Sequence, residues 1–309
     1  MEEVHTERLP LREAWFAHAQ QHPFAAFGLT IAAVVVLALV ASSVYNAFAG
    51  GADPRLRYGL LGGMAGLAAT ALGAFVGLGL RNISKLTEDS MLGFAAGMML
   101  AASAFSLILP GLDAARNITD SAPLAALTVA FGLALGAILM LGLDRFTPHA
   151  HEASGACGPA AERINRVWLF VFAITLHNLP EGMAIGVSFA QGDLSVGMPL
   201  TTAIAIQDIP EGLAVGFALR AAGVTALRAA LIAAASGVME PLGAILGIGL
   251  SSGFAIAYPV GLGLAAGAMI FVVSHEVIPE THRNGHETPA TLGLMAGFGV
   301  MMFLDTAFA

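Results

Sequence analysis

The sequence predicts an all-α, polytopic membrane protein. Of its 309 residues, 57% are hydrophobic and only 11% are charged, whereas soluble domains carry about 25% charged residues. Apolar runs of roughly 20 residues, enough for a helix to cross a bilayer, recur along the whole chain. A transmembrane barrel would show alternating segments of about ten residues instead, so the predicted spans are helices in a lipid bilayer.

Nine apolar stretches are predicted to span the membrane. We divide the chain into an N-terminal segment, 1–57, which carries one extra span, and a main domain, 58–309. The first span follows 27 residues and has a long apolar run, so we expect it to be retained, although Ala47-Phe48-Ala49 also resembles the cleavage site of a signal peptide. The spans are 28–49, 58–80, 90–110, 122–143, 166–190, 197–219, 228–250, 256–278 and 289–308.

The loop charges predict the orientation, because Lys and Arg concentrate in cytoplasmic loops. With a cytoplasmic N-terminus, ten of the 13 basic residues lie inside and only Arg55, Arg57 and Arg116 lie outside. The C-terminus is then periplasmic, and the longest loop, about 144–165, is cytoplasmic. We therefore expect a multi-pass protein of a bacterial inner membrane. The basic residues placed inside are Arg8, Arg12, Arg81, Lys85, Arg145, Arg163, Arg166, Arg220, Arg228 and Arg283.

Composition also excludes several classes of function. Cys157 is the single cysteine, so the chain has no internal disulfide and no cysteine-rich metal site. The sequence has no cluster of basic residues of the kind that binds nucleic acid.

Two related motifs occupy the middle of the fifth and sixth spans. His177-Asn178-Leu179-Pro180-Glu181-Gly182 is matched thirty positions later by Gln207-Asp208-Ile209-Pro210-Glu211-Gly212. Within each motif the first and fifth side chains are four residues apart, which places them on one face of a helix. The two motifs are therefore predicted to present polar side chains toward each other within the membrane.

The carboxylates of these spans lack a basic partner. Glu181, Asp208, Glu211 and the mid-span Glu240 lie near the predicted midplane, where no Lys or Arg is present. Each ionised group there costs at least about 2.5–3.5 kcal/mol. The neutralising cation must come from outside the chain, as protons or as a metal ion.

Proline follows or precedes a carboxylate in each of these spans, at Pro180, Pro210 and Pro241. A proline inside a helix removes one backbone hydrogen bond and kinks the helix. Irregular backbone at membrane depth is tolerated where it lines a cavity or a site. The prolines therefore favour one shared cavity at mid-membrane.

Imidazole, amide and carboxylate groups make a mixed nitrogen and oxygen ligand set. Such a set suits Zn²⁺, Cd²⁺, Fe²⁺ or Mn²⁺. The number of candidate ligands indicates two neighbouring metal positions bridged by a glutamate. A proton relay, or polar contacts that only hold helices together, are the alternatives.

The chain also contains a repeat with an offset of 170 residues. Residues 72–80 align with 242–250, and residues 93–99 align with 263–269. The predicted topology makes the paired spans run in opposite directions. The sequence therefore predicts an inverted repeat, an architecture typical of transporters with a site at mid-membrane.

The paired His-Asn-x-Pro-Glu-Gly and Gln-Asp-x-Pro-Glu-Gly motifs resemble those of the ZIP (Zrt/Irt-like) metal transporters, with the bacterial GufA-like branch nearest. The resemblance covers residues 58–309 and implies an eight-helix, 3+2+3 inverted-repeat fold, to which residues 28–49 add a span. It also implies zinc as the usual cargo, import, a homodimer, an elevator-type movement and a binuclear metal centre. One implied metal position comprises His177, Glu181, Gln207, Glu211 and Met99, and the other comprises Asn178, Asp208 and Glu240, with Glu181 and Glu211 bridging.

Polar residues at span ends predict a pathway to and from the site. We expect Asp144, His275 and Glu276 as exit ligands, because they lie at the cytoplasmic ends of their spans. Ser106, Asp113 and Asp305 are the expected entrance, at the opposite ends. Histidines in the cytoplasmic loops could collect metal or be incidental, namely His149, His151 and His286.

These features together predict a non-enzymatic importer of divalent transition-metal cations. One alternative is an intramembrane zinc metalloprotease, but the chain lacks the His-Glu-x-x-His motif, since Asn178 occupies the position of the general base. The other alternative is a proton-coupled carrier of a non-metal substrate.

Overall fold

The structure is a computed structural model. It describes residues 53–80, 83–146, 149–151, 155–157, 166–221, 223–251 and 255–308, apart from residue 222, together with scattered residues between 16 and 31. Within these ranges, the side chains of 146, 149–157, 166–176, 221 and 308 lie outside the description. The predicted first span, 28–49, lies almost entirely outside the described residues.

Helices dominate the described residues, which confirms the predicted all-α, polytopic class. The longest predicted loop adds a small antiparallel ribbon, in which β1 (His149–His151) pairs with β2 (Gly155–Cys157). The helices are α1 (Pro54–Gly79), α2 (Lys85–Thr119), α3 (Ala122–Phe146), α4 (Arg166–Phe189), α5 (Leu194–Ala221), α6 (Ala226–Ser236), α7 (Met239–Ser251), α8 (Ala257–His282) and α9 (Glu287–Phe308).

The lengths of these helices match a bilayer. Seven candidate spans occur in the described residues, with α6 and α7 together forming one of them. Helix α4 has 24 residues and is also long enough to cross, although the side chains of its first half lie outside the description. The spans predicted from residue 58 onward therefore all coincide with helices.

Helix α1 begins at a well-defined cap. Pro54 occupies the first helical position, and the Asp53 carboxylate accepts a hydrogen bond from the backbone N–H of Arg55. The Arg55 guanidinium also donates to Asp53, and this hydrogen bonding lowers the pKa of the Asp53 carboxyl. The cap therefore fixes the entry of the chain into the transporter-sized bundle.

The span predicted at 228–250 is broken in the middle. Helix α6 ends at Ser236, Gly237 and Val238 form a turn, and α7 begins at Met239. Pro241 has no N–H to donate to the carbonyl four residues earlier, at Gly237, which explains a break at this point. By contrast, α4 and α5 are assigned as continuous helices through Pro180 and Pro210.

Close glycine contacts show the internal symmetry of the bundle. The backbone of Gly73 in α1 lies against the Ile209 carbonyl of α5, and Gly243 in α7 lies against the Leu179 carbonyl of α4. The two glycines are 170 residues apart and their partners are 30 apart. A Cβ at either glycine would collide with the facing backbone, so these helices pack at the closest approach that glycine permits.

The remaining helices follow the same rule. Gly97 in α2 lies against the Leu294 carbonyl of α9, and Gly267 in α8 lies against the Leu133 carbonyl of α3. The bundle thus consists of two repeats, α1–α3 and α6–α9, with α4 and α5 between them. One set of contacts joins α1, α4, α5 and α7, and the other joins α2, α3, α8 and α9.

The symmetry extends to two interruptions of the helical backbone. Helix α2 contains a π-helical turn at Ser103–Ile108, and α8 contains one at Val273–Val277. Their first residues are 170 apart. Pro110 and Pro279 follow within a turn or so, and each removes one N–H from the hydrogen-bond ladder. The main apolar core lies beside these turns and includes the buried Met98, Leu107 and Met269.

Candidate metal centre

Three carboxylates of α4 and α5 meet inside the bundle. Ligand oxygens of Glu181, Asp208 and Glu211 all lie within 4.8 Å of one another. Glu181 and Asp208 are each 1% exposed, and Glu211 is partly buried. The paired motifs therefore converge, as their spacing predicts.

Glycines of the two motifs bring further helices against this cluster. The backbone of Gly182 lies against the backbone of Glu240 in α7, and Gly212 lies against the backbone of Thr70 in α1. These contacts are equivalent under the 170-residue and 30-residue offsets. The first places Glu240, which is fully buried, beside the carboxylates of α4 and α5.

The four acids have no basic partner. Among the described residues, no Lys or Arg forms an ion pair with Glu181, Asp208, Glu211 or Glu240. Glu181 Oε1 accepts a hydrogen bond from Gln207 Nε2 at 2.7 Å, and Glu240 Oε1 accepts one from Thr70 Oγ1 at 2.7 Å.

Three buried oxygens of this region have no hydrogen-bond partner. They are Gln207 Oε1, Asp208 Oδ2 and Glu240 Oε2. An unpaired buried carboxylate oxygen costs several kcal/mol unless a cation or proton neutralises it. These atoms are thus available as ligands, and they belong to residues that the sequence assigns to metal binding.

The remaining predicted ligands lie around the carboxylates. His177 Nε2 lies 3.4 Å from Glu276 Oε2, and the negative charge of Glu211 also acts on this imidazole. Asn178 is 2% exposed on α4. Met99 is 1% exposed and belongs to the main apolar core contributed by α2.

The predicted exit residues adjoin the centre. Glu276 contacts His177, and His275 Nε2 lies 3.9 Å from Asp144 Oδ2. Both α8 residues lie in the π-helical turn Val273–Val277. The structure thus connects the centre to Asp144 at the end of α3 through two successive side chains of α8.

Two of the three predicted entrance residues are brought together. Ser106 Oγ donates a hydrogen bond to Asp305 Oδ1 at 2.6 Å, so the π-helical turn of α2 is joined to α9. Asp113 instead has a side chain that is 74% exposed, and it lies 3.8 Å from the Arg116 guanidinium. Asp113 is therefore not part of the Ser106–Asp305 contact.

The predicted loop histidines divide into two groups. His149 and His151 lie on β1, opposite Cys157 and Gly155, and their side chains lie outside the described part of the chain. His286 Nδ1 lies 2.7 Å from Asp89 Oδ2, and Asn284 donates to the same carboxylate. His286 thus helps to hold the α8–α9 loop against α2.

Two residues of α1 at the centre escaped the sequence analysis. Thr70 donates to Glu240, and Gly66 lies where a Cβ would collide with Glu240 Oε2 and would lie 3.2 Å from Asp208 Oδ2. The repeat offset was the available signal, because it aligns Thr70 with Glu240.

The arrangement suits reversible binding of a divalent cation. Carboxylate, amide and imidazole groups surround a buried space, and free oxygens remain on three of them. Borderline divalent metals accept such ligands, and the absence of thiolate from this set favours release.

Comparisons with known proteins point to the same chemistry. The sequence model of the family described as ZIP zinc transporter matches residues 144–305, which is more than half of the chain. Zinc transporter ZIPB of Bordetella bronchiseptica is 68% identical over 297 residues, covering 96% of both chains.

More distant relatives carry similar descriptions. Zinc transporter GufA of Myxococcus xanthus is 42% identical over 247 residues, which is 80% of this chain and 97% of the relative. Human zinc transporter ZIP11 is 30% identical over 332 aligned residues, which is 80% of this chain and 96% of the relative.

Proposed function

Because this chain belongs to the ZIP family of zinc transporters, we propose that it imports divalent transition-metal cations, with Zn²⁺ as the main cargo. Cd²⁺, Fe²⁺ and Mn²⁺ suit the same ligands and are the further substrates that we propose. The relatives named above are described as zinc transporters, which supports this choice of cargo.

The convergence of four buried acids without a basic partner carries the proposal. Glu181, Asp208, Glu211 and Glu240 meet where α4, α5 and α7 are closest. Four buried charges of one sign are stable only with a bound cation or with protons. A divalent ion compensates two charges at once and is coordinated by the free oxygens of Asp208 and Glu240.

We propose that the centre holds two metal ions. His177, Glu181, Gln207, Glu211 and Met99 form one position, and Asn178, Asp208 and Glu240 form the other, with Glu181 and Glu211 bridging. The side-by-side placement of the α4 and α5 motifs supports this assignment. The short Gln207–Glu181 hydrogen bond supports it as well, because it joins ligands from both helices.

The movement that we propose is of the elevator type. Helices α1, α4, α5 and α7 pack on one another through glycine, and α2, α3, α8 and α9 form the second group. All the polar ligands belong to the first group. It would slide as a body against the second, a scaffold, and so expose the centre to alternate sides of the membrane.

The pathway follows from the contacts at either end of the centre. Metal would enter near Ser106, Asp113 and Asp305 and leave by way of Glu276, His275 and Asp144. Orientation follows from the loop charges: a cytoplasmic N-terminus and a periplasmic C-terminus in a bacterial inner membrane. We further propose a homodimer, and His149, His151 and His286 as weak metal-collecting positions. Residues 58–309 form the transporter domain, and 1–57 form an N-terminal segment with one span.

Uptake of ⁶⁵Zn²⁺ into proteoliposomes tests the function. The wild-type chain should take up the ion, and the His177→Ala and Glu211→Ala variants should lose most of this uptake although they remain folded. The same vesicles should release no fragments from a labelled peptide, which separates a transporter from a membrane metalloprotease. Equal uptake by vesicles with and without the wild-type protein would refute the proposal.

A further inference from the structure

Helix α1 provides no candidate metal ligand, yet it forms one wall of the centre. Thr70, which is 4% exposed, donates its hydroxyl hydrogen to Glu240 Oε1 at 2.7 Å. Gly66, one helical turn earlier, leaves the space that Glu240 Oε2 occupies. The two residues therefore meet the two oxygens of one carboxylate.

The hydrogen bond of Thr70 differs from those of other helical threonines in the chain. Thr119, Thr128, Thr202 and Thr306 each donate to the carbonyl four residues earlier in their own helix. That local bond is the usual way to satisfy a hydroxyl inside a helix. A hydroxyl has a single hydrogen to donate, and Thr70 gives its hydrogen to a carboxylate of another helix.

This bond distinguishes the two oxygens of Glu240. Oε1 is occupied by Thr70, whereas Oε2 has no partner and faces Gly66 together with the unpartnered Asp208 Oδ2. The side chain of Glu240 has three rotatable bonds, and without the hydroxyl either oxygen could turn toward the space beside Asp208. With it, one orientation is selected.

We propose that Thr70 is a positioning residue, which orients Glu240 so that Oε2 and Asp208 Oδ2 together bind the metal ion of the second position. The inference rests on the proposed function, because it concerns the same centre. Outer partners of this kind typically change metal affinity by about 10–100-fold when they are removed.

The test measures metal binding by the full chain in detergent, with Cd²⁺ and Zn²⁺ titrated calorimetrically. Thr70→Val keeps the shape of the side chain but removes the donor, so Kd at the second position should rise by about 10–100-fold while the position of His177 and Glu181 keeps its affinity. Thr70→Ser keeps the donor and should restore binding close to that of the wild type.

Thr201 offers a matched control. It is also a buried threonine of a membrane helix, but its Oγ1 has no hydrogen-bond partner, so Thr201→Val should leave both metal affinities unchanged. A purely structural role of Thr70 would lower the melting temperature of Thr70→Val and leave the two affinities as they are, and that result would overturn the inference.

The outcomes also separate this inference from the proposed function. A wild-type chain that binds no metal overturns both, whereas wild-type binding with an unaffected Thr70→Val variant overturns the positioning role alone. If Thr70→Val cannot be purified in folded form, Thr70→Ala replaces it. That variant only removes atoms, and the same comparison with Thr70→Ser decides.

Discussion

Gln207 Nε2 donates a hydrogen bond to Glu181 Oε1 at 2.7 Å, and this contact joins the two Pro-Glu-Gly motifs across α4 and α5. The amide thereby orients its own oxygen, which has no other partner, toward the interior of the bundle. The motifs are thus coupled to each other even before a cation binds them.

Replacing one of the converging acids should abolish transport. Glu181→Gln removes a negative charge from the cluster of Glu181, Asp208 and Glu211, and we expect ⁶⁵Zn²⁺ uptake to fall by at least about tenfold. Initial rates in proteoliposomes measure the effect. Glu287→Gln, at an exposed carboxylate at the start of α9, is the matched control and should transport normally. Uptake by Glu181→Gln at the wild-type rate would contradict the assignment.

Helix packing at the centre should depend on Gly182. Its backbone lies against that of Glu240, so the methyl group of Gly182→Ala would force α4 and α7 apart at a cost of about 1–3 kcal/mol. We expect a lower melting temperature and weaker uptake, because Glu240 is displaced from the other acids. Gly299 is also helical but has open space around its Cα, so Gly299→Ala should be neutral or slightly stabilising. Equal melting temperatures for the two variants would show that the close contact does not matter.

The exit residues should affect turnover more than binding. Glu276 lies 3.4 Å from His177, and His275 lies 3.9 Å from Asp144, so the two residues offer successive ligands beyond the centre. We expect Glu276→Ala and His275→Ala to lower the maximal rate of uptake while calorimetry finds both metal ions still bound at the centre. Unchanged uptake rates in both variants would remove these residues from the pathway.

The cap of α1 provides a test of stability that is independent of the metal. Asp53→Ala removes the acceptor for the Arg55 N–H and should cost about 0.5–2 kcal/mol, seen as a lower melting temperature in detergent. Asp53→Asn keeps an acceptor and should lose much less.

The same cap predicts a pH dependence. Hydrogen bonding to Arg55 lowers the pKa of Asp53 in the folded chain, so its stabilising effect is present above the pKa of the unfolded state. That stabilisation is lost as the pH falls through the lowered, folded-state pKa. The difference in melting temperature between wild type and Asp53→Ala should therefore shrink in acid, and a constant difference would contradict the role of the ion pair.

Much of the centre could be predicted because helical spacing determines it. His177 and Glu181, like Gln207 and Glu211, share a helix face four residues apart, and the 170-residue offset anticipates the matching glycine contacts of Gly73 and Gly243. These inferences need only the period of a helix and the sequence itself.

Other features depend on tertiary contacts that a linear pattern does not specify. The pairing of His286 with Asp89, and of Thr70 with Glu240, joins residues more than 160 positions apart whose side chains meet only after the helices pack. The break at Gly237 and Val238 had a signal in Pro241, but the proline alone did not show that the helix would stop rather than continue, as it does at Pro180.

The most direct test of a metal centre between α4 and α5 is anomalous X-ray diffraction from crystals of this chain grown with Cd²⁺. We predict two anomalous peaks among Glu181, Asp208, Glu211 and Glu240, one of them within bonding distance of Asp208 Oδ2 and Glu240 Oε2. A well-ordered bundle with no anomalous density between these helices would contradict the account.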